Sequence, residues 1–318
     1  MRVIAIIPAY NEEETIGDVI KETKKYVDDV IVINDGSTDR TEEIAKKAGA
    51  KVVSHVLNRG VGAAVRTGID TALSLGADII VNIDADGQFD PKDIKKLITP
   101  IINNEADFVT GSRFLNANYK LNIPKIKKVG NTLFTKIVNF LTKSNFTDTQ
   151  CGFRAFYREA ALRLNLYGNF TYTQEVFLDL VSKGMKIKEV PIKVVYKSSR
   201  KSKVVKNPFY YGINALLIII RTIRDLYPLK FFGIIGLIIF SSGFVMGLFL
   251  LLRWALKGIV SPYRSMIQLS AVLLIVGFLS IVLALIADML GRQKRIQEEI
   301  LYYSKLKAFE KNKGEKFE

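Results

Sequence analysis

Asp84-Ala85-Asp86-Gly87-Gln88 follows directly on the apolar run Ile79-Ile80-Val81-Asn82-Ile83. A short run rich in Ile and Val reads as a buried strand of a parallel sheet. Two carboxylates at its C-terminal end fall in the crevice where open α/β sheets bind ligands. Alternation along the strand points Asp84 and Asp86 the same way, so both can address one ion. Hard oxygen ligands favour Mg²⁺ or Mn²⁺, shared with the phosphates of a nucleotide.

The rest of the chain narrows this reading. It has 318 residues and a formal net charge of +15, yet 49% of its residues are hydrophobic. A nucleic-acid binder concentrates basic residues on a polar surface. Basic charge with this much apolar character fits a membrane protein with anionic partners instead. Cys151 is the only cysteine and His55 the only histidine. An intramolecular disulfide and a multi-histidine zinc site are therefore excluded, and His55, following an apolar strand, reads as structural. No signal peptide precedes the first strand, so the first domain is expected on the cytoplasmic side.

Residues 1–112 alternate strands (Val3–Pro8, Val30–Asn34, Lys51–His55, Ile79–Ile83, Phe108–Gly111) with helices (Glu13–Tyr26, Thr38–Ala48, Gly60–Leu75, Pro91–Asn103). Repeated βα units predict an α/β fold, a mostly parallel sheet with helices on both faces. Residues 113–206 are less regular, basic and aromatic, and are expected to pack on the sheet's later edge as the acceptor half.

Near 207 the character changes. Asn207-Pro208 starts a helix by capping and by proline at its first turn. Its apolar face, with Arg221 and Arg224 beside it, predicts an interfacial amphipathic helix over 207–228. Phe231–Leu252 and Met266–Ala287 are uncharged apolar runs of 22 residues each. A membrane span takes about 20, so 229–290 reads as a two-helix transmembrane hairpin. Residues 196–230 carry eight Lys or Arg against one Asp, and Arg292, Lys294, Arg295, Lys305 and Lys307 follow the second span. That bias places the catalytic domain and the charged tail, 291–318, in the cytoplasm. Gly243-x-x-x-Gly247 permits close helix contact and a possible homo-oligomer through these helices.

Three further turns sit where strands meet helices. Ile6-Ile7-Pro8-Ala9-Tyr10-Asn11-Glu12-Glu13 joins the first strand to the first helix, where backbone amides can cradle a nucleotide. In Asn34-Asp35-Gly36-Ser37-Thr38-Asp39, Asp35 can accept from a base or ribose, while Thr38 or Asp39 caps the next helix. In Asn58-Arg59-Gly60-Val61-Gly62, small residues let a ligand approach the backbone.

Taken in order, these motifs and Gly111-Ser112-Arg113 resemble the inverting family-two glycosyltransferases of GT-A fold. Residues 1–206 look most like the polyprenyl-phosphate group, similar to dolichyl-phosphate mannose synthases. The two-span end is similar to the subgroup that passes glucose or a related sugar to undecaprenyl or dolichyl phosphate. The resemblance implies that Pro8, Ala9, Tyr10, Glu12, Asp35, Gly60, Gly62 and Ala85 line the nucleotide sugar, together with Asp84 and Asp86. It implies that Asp84, Asp86 and Gln88 bind the metal and diphosphate, and that Arg113 meets the lipid phosphate. Lys127 and Asn131 stand where relatives can carry Arg and Ser. Asp148-Thr149-Gln150-Cys151-Gly152-Phe153-Arg154 resembles the family's Asp-x-x-Ser-Gly-Phe-Arg, with Cys151 in place of Ser. Glu189-Val190-Pro191 and Ser202-Lys203 resemble its closing elements, although Lys197 and Arg200 replace the expected Arg and Gly.

The chemistry agrees. A lipid phosphate has a second pKa of about 6, so it is largely a dianion at neutral pH. It needs no strong general base, which suits a chain with one histidine. The reaction needs charge neutralisation on the leaving diphosphate and cations for a second anion. Arg113, Lys127, Arg200 and Lys203 are candidates for the latter. UDP-glucose and GDP-mannose both remain open as donors. A processive polysaccharide synthase and a non-catalytic nucleotide-sugar-binding adaptor are the alternatives. Against the first, the only Arg-Trp pair, Arg253-Trp254, lacks the Gln three residues earlier that such synthases carry.

Overall fold

The computed structural model describes residues 1–116, 125–166, 172–195, 220, 224 and 227–314, with side chains left aside at 125–129 and 311–314. The first unit comprises residues 1–200 with 301–318, the second residues 201–300.

The first unit is built on a seven-stranded sheet of order β3-β2-β1-β4-β6-β5-β7. Its strands are β1 (Val3–Ala9), β2 (Asp29–Asn34), β3 (Lys51–Ser54), β4 (Ile79–Asn82), β5 (Phe108–Ser112), β6 (Arg154–Tyr157) and β7 (Ile187–Pro191). The strands β3, β2, β1 and β4 run parallel, as the βα alternation requires. Helices α1 (Ile16–Thr23), α2 (Thr41–Lys47), α3 (Val61–Ser74) and α4 (Ile94–Ile102) connect them. The strands are apolar on both faces because both are covered. Val3, Ala5, Ile7, Val30 and Val32 join the core with Ile16, Ile20, Ala45, Ile94 and Leu97 from α1, α2 and α4. Ile6 and Ile33, on the opposite face, press against Gly68 of α3.

Two expectations change here. The later half does not merely pack on the sheet's edge: β6 inserts antiparallel between β4 and β5, and β7 pairs parallel with β5. Arg154-Ala155-Phe156-Tyr157 is short and begins with a charge, so it lacks the long apolar signature of a central strand. The first helix starts at Ile16 rather than Glu13, because Glu12 to Thr15 close a turn through Thr15 N–H to Glu12 O, 3.1 Å. The later half adds α5 (Lys125–Thr142), α6 (Arg158–Arg163) and α7 (Tyr172–Ser182).

Two helices, α8 (Pro228–Lys257) and α9 (Arg264–Gly314), are long and apolar enough to cross a membrane. Within the hairpin they approach closely. A Cβ on Gly243 would stand 2.8 Å from Leu274 N, and Ser270 Oγ donates to Gly243 O at 2.8 Å. The small-residue face thus meets the chain's own second helix, the kind of contact glycines allow between apolar helices. The tail is not a separate element, since α9 runs without a break from Arg264 to Gly314. In the first unit, Tyr302 of α9 donates to Glu159 Oε2 at 3.0 Å, and the Arg163 guanidinium lies 4.0 Å from its ring centre. The interfacial helix expected over 207–228 lies almost wholly outside the described residues.

Candidate active site

The sheet order reverses direction between β1 and β4. In open α/β sheets the crevice outside the strand ends at such a point is where ligands bind. The loop after β1, the loop after β2 and the Asp84–Gln88 turn after β4 all open there. The ladders carry on past the strand ends, with Asp35 N–H donating to Ala9 O at 2.9 Å and Ile83 N–H to Ile6 O at 3.1 Å. Three sequence-distant turns are therefore held in one register.

β4 ends at Asn82, so Asp84 and Asp86 lie in a turn and strand alternation does not orient them. Burial does. Ala85 is buried in the core while Asp84, Asp86 and Gln88 are partly exposed. Asp86 Oδ1 accepts the Gln88 N–H at 3.0 Å, closing the turn over Gly87. Thr15 Oγ1 donates to Ala85 O at 2.8 Å and ties the entry of α1 to it. On the far side Val195 N–H donates to Gln88 O at 3.0 Å.

Burial pushes the Asp84 carboxyl up to about 7, and the neighbouring Asp86 charge pushes the same way. Gly152 sits against it: a Cβ there would lie 2.8 Å from Asp84 Oδ2. Behind lies Arg154, wholly buried, donating from Nε to Cys151 O at 2.7 Å and from Nη2 to Thr149 O and Thr173 O. Two neighbouring carboxylates facing a crevice form an oxygen donor set suited to a hard divalent cation. Cys151 is buried, and desolvation pushes its thiol up to about 12, so it is an inert packing residue.

The nucleotide-side residues gather at the same end of the sheet. Pro8 is partly buried, Ala9 buried and Tyr10 exposed. Asn11 joins this loop to the next, accepting the Thr38 N–H on Oδ1 at 2.8 Å and donating its own N–H to Ser37 Oγ at 3.0 Å. The Glu12 N–H donates to Thr41 Oγ1 at 2.8 Å. Asp39 Oδ1 accepts the Thr41 N–H at 3.0 Å just before α2, but the N-cap position is Arg40, so neither Thr38 nor Asp39 is the cap the sequence suggested. Asp35 is buried, and its carboxylate takes the Arg59 N–H at 2.9 Å and the Gly60 N–H at 2.8 Å, organising the turn that carries Gly60 and Gly62. The sequence named Asp35 as a ligand contact but not as the anchor of this loop.

Among the residues expected to meet the acceptor, Arg113 is not a loose cation. Its Nε and Nη2 donate to Asp148 Oδ2 and Oδ1 at 2.6 and 2.9 Å. Buried Asn131 donates from Nδ2 to the same Oδ1 at 3.1 Å. Glu189 accepts the Asp148 and Thr147 N–H groups, both at 2.8 Å, and burial raises its carboxyl above the usual range. Asp148 and Glu189 are thus the framework of this side, a role only the Asp-x-x-x-Gly-Phe-Arg and Glu-Val-Pro runs hinted at. Lys127 falls on α5 with its side chain outside the described residues, as do Arg200 and Lys203 entirely.

Residues 4–164, just over half of the chain, match the model for glycosyl transferase family 2. The chain belongs to glycosyltransferase family 2. Like other family-2 members it is a glycosyltransferase, and several of its relatives are named for sugar transfer to a lipid phosphate. The UDP-N-acetylglucosamine–dolichyl-phosphate N-acetylglucosaminyltransferase of Methanococcus voltae is 39% identical over 215 residues, 60% of this chain and 84% of the relative. Glycosyltransferase AglJ of Haloferax volcanii is 29% identical over 303 residues, 93% of this chain and 97% of the relative. Among solved structures, glucosyl-3-phosphoglycerate synthase from Mycobacterium tuberculosis, bound to Mn²⁺ and UDP-glucose, aligns with a TM-score of 0.54. It is 23% identical, covers 69% of this chain and 78% of its own, and supports the GT-A architecture of this family-2 member.

Proposed function

We propose that this glycosyltransferase moves one sugar from a UDP- or GDP-sugar to a polyprenyl phosphate at the cytoplasmic face of a membrane, inverting the anomeric carbon. The observation that carries the reading is the Asp84/Asp86 pair at the end of β4, at the switch point of the sheet. Among the described residues no group of three or more His, Cys, Asp or Glu is arranged to hold a metal. Two carboxylates suit a cation that takes its other ligands from a substrate diphosphate.

An oxygen of the lipid phosphate attacks C1 of the sugar. The bond from C1 to the nucleoside diphosphate breaks, and its electron pair leaves on the diphosphate. The attacking phosphate is already anionic, so no side chain need remove a proton. Asp84 and Asp86 would hold Mg²⁺ or Mn²⁺, which when bound supplies neutralising charge to the diphosphate. Pro8 to Glu12 and the Gly60–Gly62 turn receive the nucleoside. Arg113, fixed by Asp148, supplies a held positive charge for the lipid phosphate, and fixed charge of this kind costs no reorganisation during reaction. The two apolar helices keep the enzyme where a polyprenyl chain must stay.

The reading is tested by offering radiolabelled UDP-glucose, UDP-N-acetylglucosamine and GDP-mannose with one short polyprenyl phosphate to the full-length protein. A single labelled lipid-linked sugar from one donor is expected. A polymer, or release of free nucleotide without lipid product, would overturn it.

A further inference from the structure

His55 follows β3, its N–H donating to Asn34 O at 2.9 Å. Its ring lies between two partners. Nδ1 is 2.7 Å from Asp35 Oδ1, and Nε2 is 3.0 Å from Thr67 Oγ1 on α3. The His55 and Asp35 side chains are only 7% and 5% exposed. A carboxylate only accepts, so Nδ1 carries a proton toward Asp35, while Nε2 shares a hydrogen bond with the Thr67 hydroxyl, which can donate or accept. The ring is thereby held by two partners on different elements.

Asp35 passes this order on. Its Oδ1 also accepts the Arg59 N–H and its Oδ2 the Gly60 N–H, so the carboxylate is the hub of the turn into α3. Within the turn, Asn58 Oδ1 also accepts the Gly60 N–H, at 3.1 Å. Val56 and Leu57 are 97% and 75% exposed, and Asn58 and Arg59 are exposed as well. Apolar burial, which fixes most loops at their ends, is missing over these four residues. Polar anchoring does that job, and His55 is the side chain that aims the anchor.

We propose that His55 is a positioning residue for the donor nucleotide: through Asp35 it holds the Asn58–Gly62 turn in the shape that receives the nucleoside. This rests on the reading of that turn as the nucleotide side of the site. Without the imidazole, Asp35 Oδ1 loses its side-chain donor, the carboxylate swings, and Arg59 and Gly60 lose the acceptor that orients their amides. Binding of the nucleotide then carries the cost of ordering the turn. The acceptor side, built on Arg113, Asp148 and Glu189, is untouched.

The test measures affinity of the full-length protein for UDP and GDP by calorimetry, alongside donor and acceptor KM, for wild type, His55→Leu, His55→Asn and His55→Gln. Loss of a hydrogen bond to a charged group corresponds to roughly ten- to hundredfold in affinity. His55→Leu is therefore expected to weaken nucleotide binding and raise donor KM by at least about tenfold, with kcat and acceptor KM within about twofold. His55→Asn keeps an N–H at the δ position and recovers most of the affinity, whereas His55→Gln does not. Unchanged affinity in His55→Leu, or a fall in kcat with nucleotide binding intact, overturns the proposal. If His55→Leu does not fold, the Asn and Gln variants carry the same test, and equal affinities in the two overturn it. Wild type that binds neither nucleotide overturns the functional reading itself, and with it this inference.

Discussion

Arg113 and Asp148 form a two-point bridge, Nε to Oδ2 at 2.6 Å and Nη2 to Oδ1 at 2.9 Å, with the carboxylate wholly buried. The bridge selects arginine over lysine, because only a planar fork meets both oxygens at once. Arg113→Lys is expected to raise acceptor KM at least about tenfold while leaving nucleotide affinity unchanged. Asp148→Asn removes one partner of a buried pair and should cost roughly 3 kcal/mol or more of stability, read as a lower urea midpoint.

Gly152 is the clearest steric test of Asp84. A methyl group there would stand 2.8 and 2.9 Å from the two carboxylate oxygens, nearer than carbon and oxygen can sit. Gly152→Ala must turn the carboxylate away. A misplacement of about 1 Å in a catalytic constellation can cost about a hundredfold, and a loss of that order in transfer rate is expected with the fold retained. Wild-type activity in Gly152→Ala would remove Asp84 from the site.

The Asp84 carboxyl titrates near neutrality, at about 7, mainly because it is desolvated. A raised folded-state value means that the protonated form suits the fold and the charged form strains it. Stability from this group is therefore full below the ordinary carboxylate range and is lost as pH rises toward 7. For protein freed of divalent cations, Asp84→Asn should melt higher than wild type at pH 8, and the gap should close by pH 4. Melting curves across that range check the sign. Mn²⁺ affinity of the wild type should rise over the same interval, because a ligand must lose its proton to bind.

Tyr302 anchors α9 in the first unit, with its hydroxyl on Glu159 and its ring under Arg163. Tyr302→Ala forfeits the hydrogen bond and a cation–π contact of about 0.5–2 kcal/mol. Faster proteolytic cutting within residues 295–310 is the expected signature, with donor KM unchanged.

Much of the site could be read directly from the residues because it lies in βα turns. There a short apolar run, a Gly and a polar side chain announce strand end, turn and helix start within a few positions. Asp84 and Asp86 stand out for that reason, as does the Asn34–Asp39 turn after β2. β6 was hidden because it is four residues long and enters the sheet antiparallel from a distant segment, a pairing no local period encodes. Asp148 and Glu189 were visible as motif letters, but their function as the frame of Arg113 depends on contacts across 35 and 41 positions of chain. His55 was read as structural from its place after a strand. Its partners, Asp35 and Thr67, are 20 and 12 residues away and meet it only once β2, β3 and α3 are packed.

The central claim is that Asp84 and Asp86 hold a divalent cation against a departing nucleoside diphosphate while a lipid phosphate attacks. It is tested most directly by following labelled lipid-linked sugar in a single turnover, with excess chelator and again after Mn²⁺ is restored, for wild type and Asp86→Asn. Product only after Mn²⁺ is restored, and a loss of at least about a hundredfold in Asp86→Asn at any metal concentration, is the expected result. Equal product under chelation, or full rescue of Asp86→Asn by more metal, would contradict it.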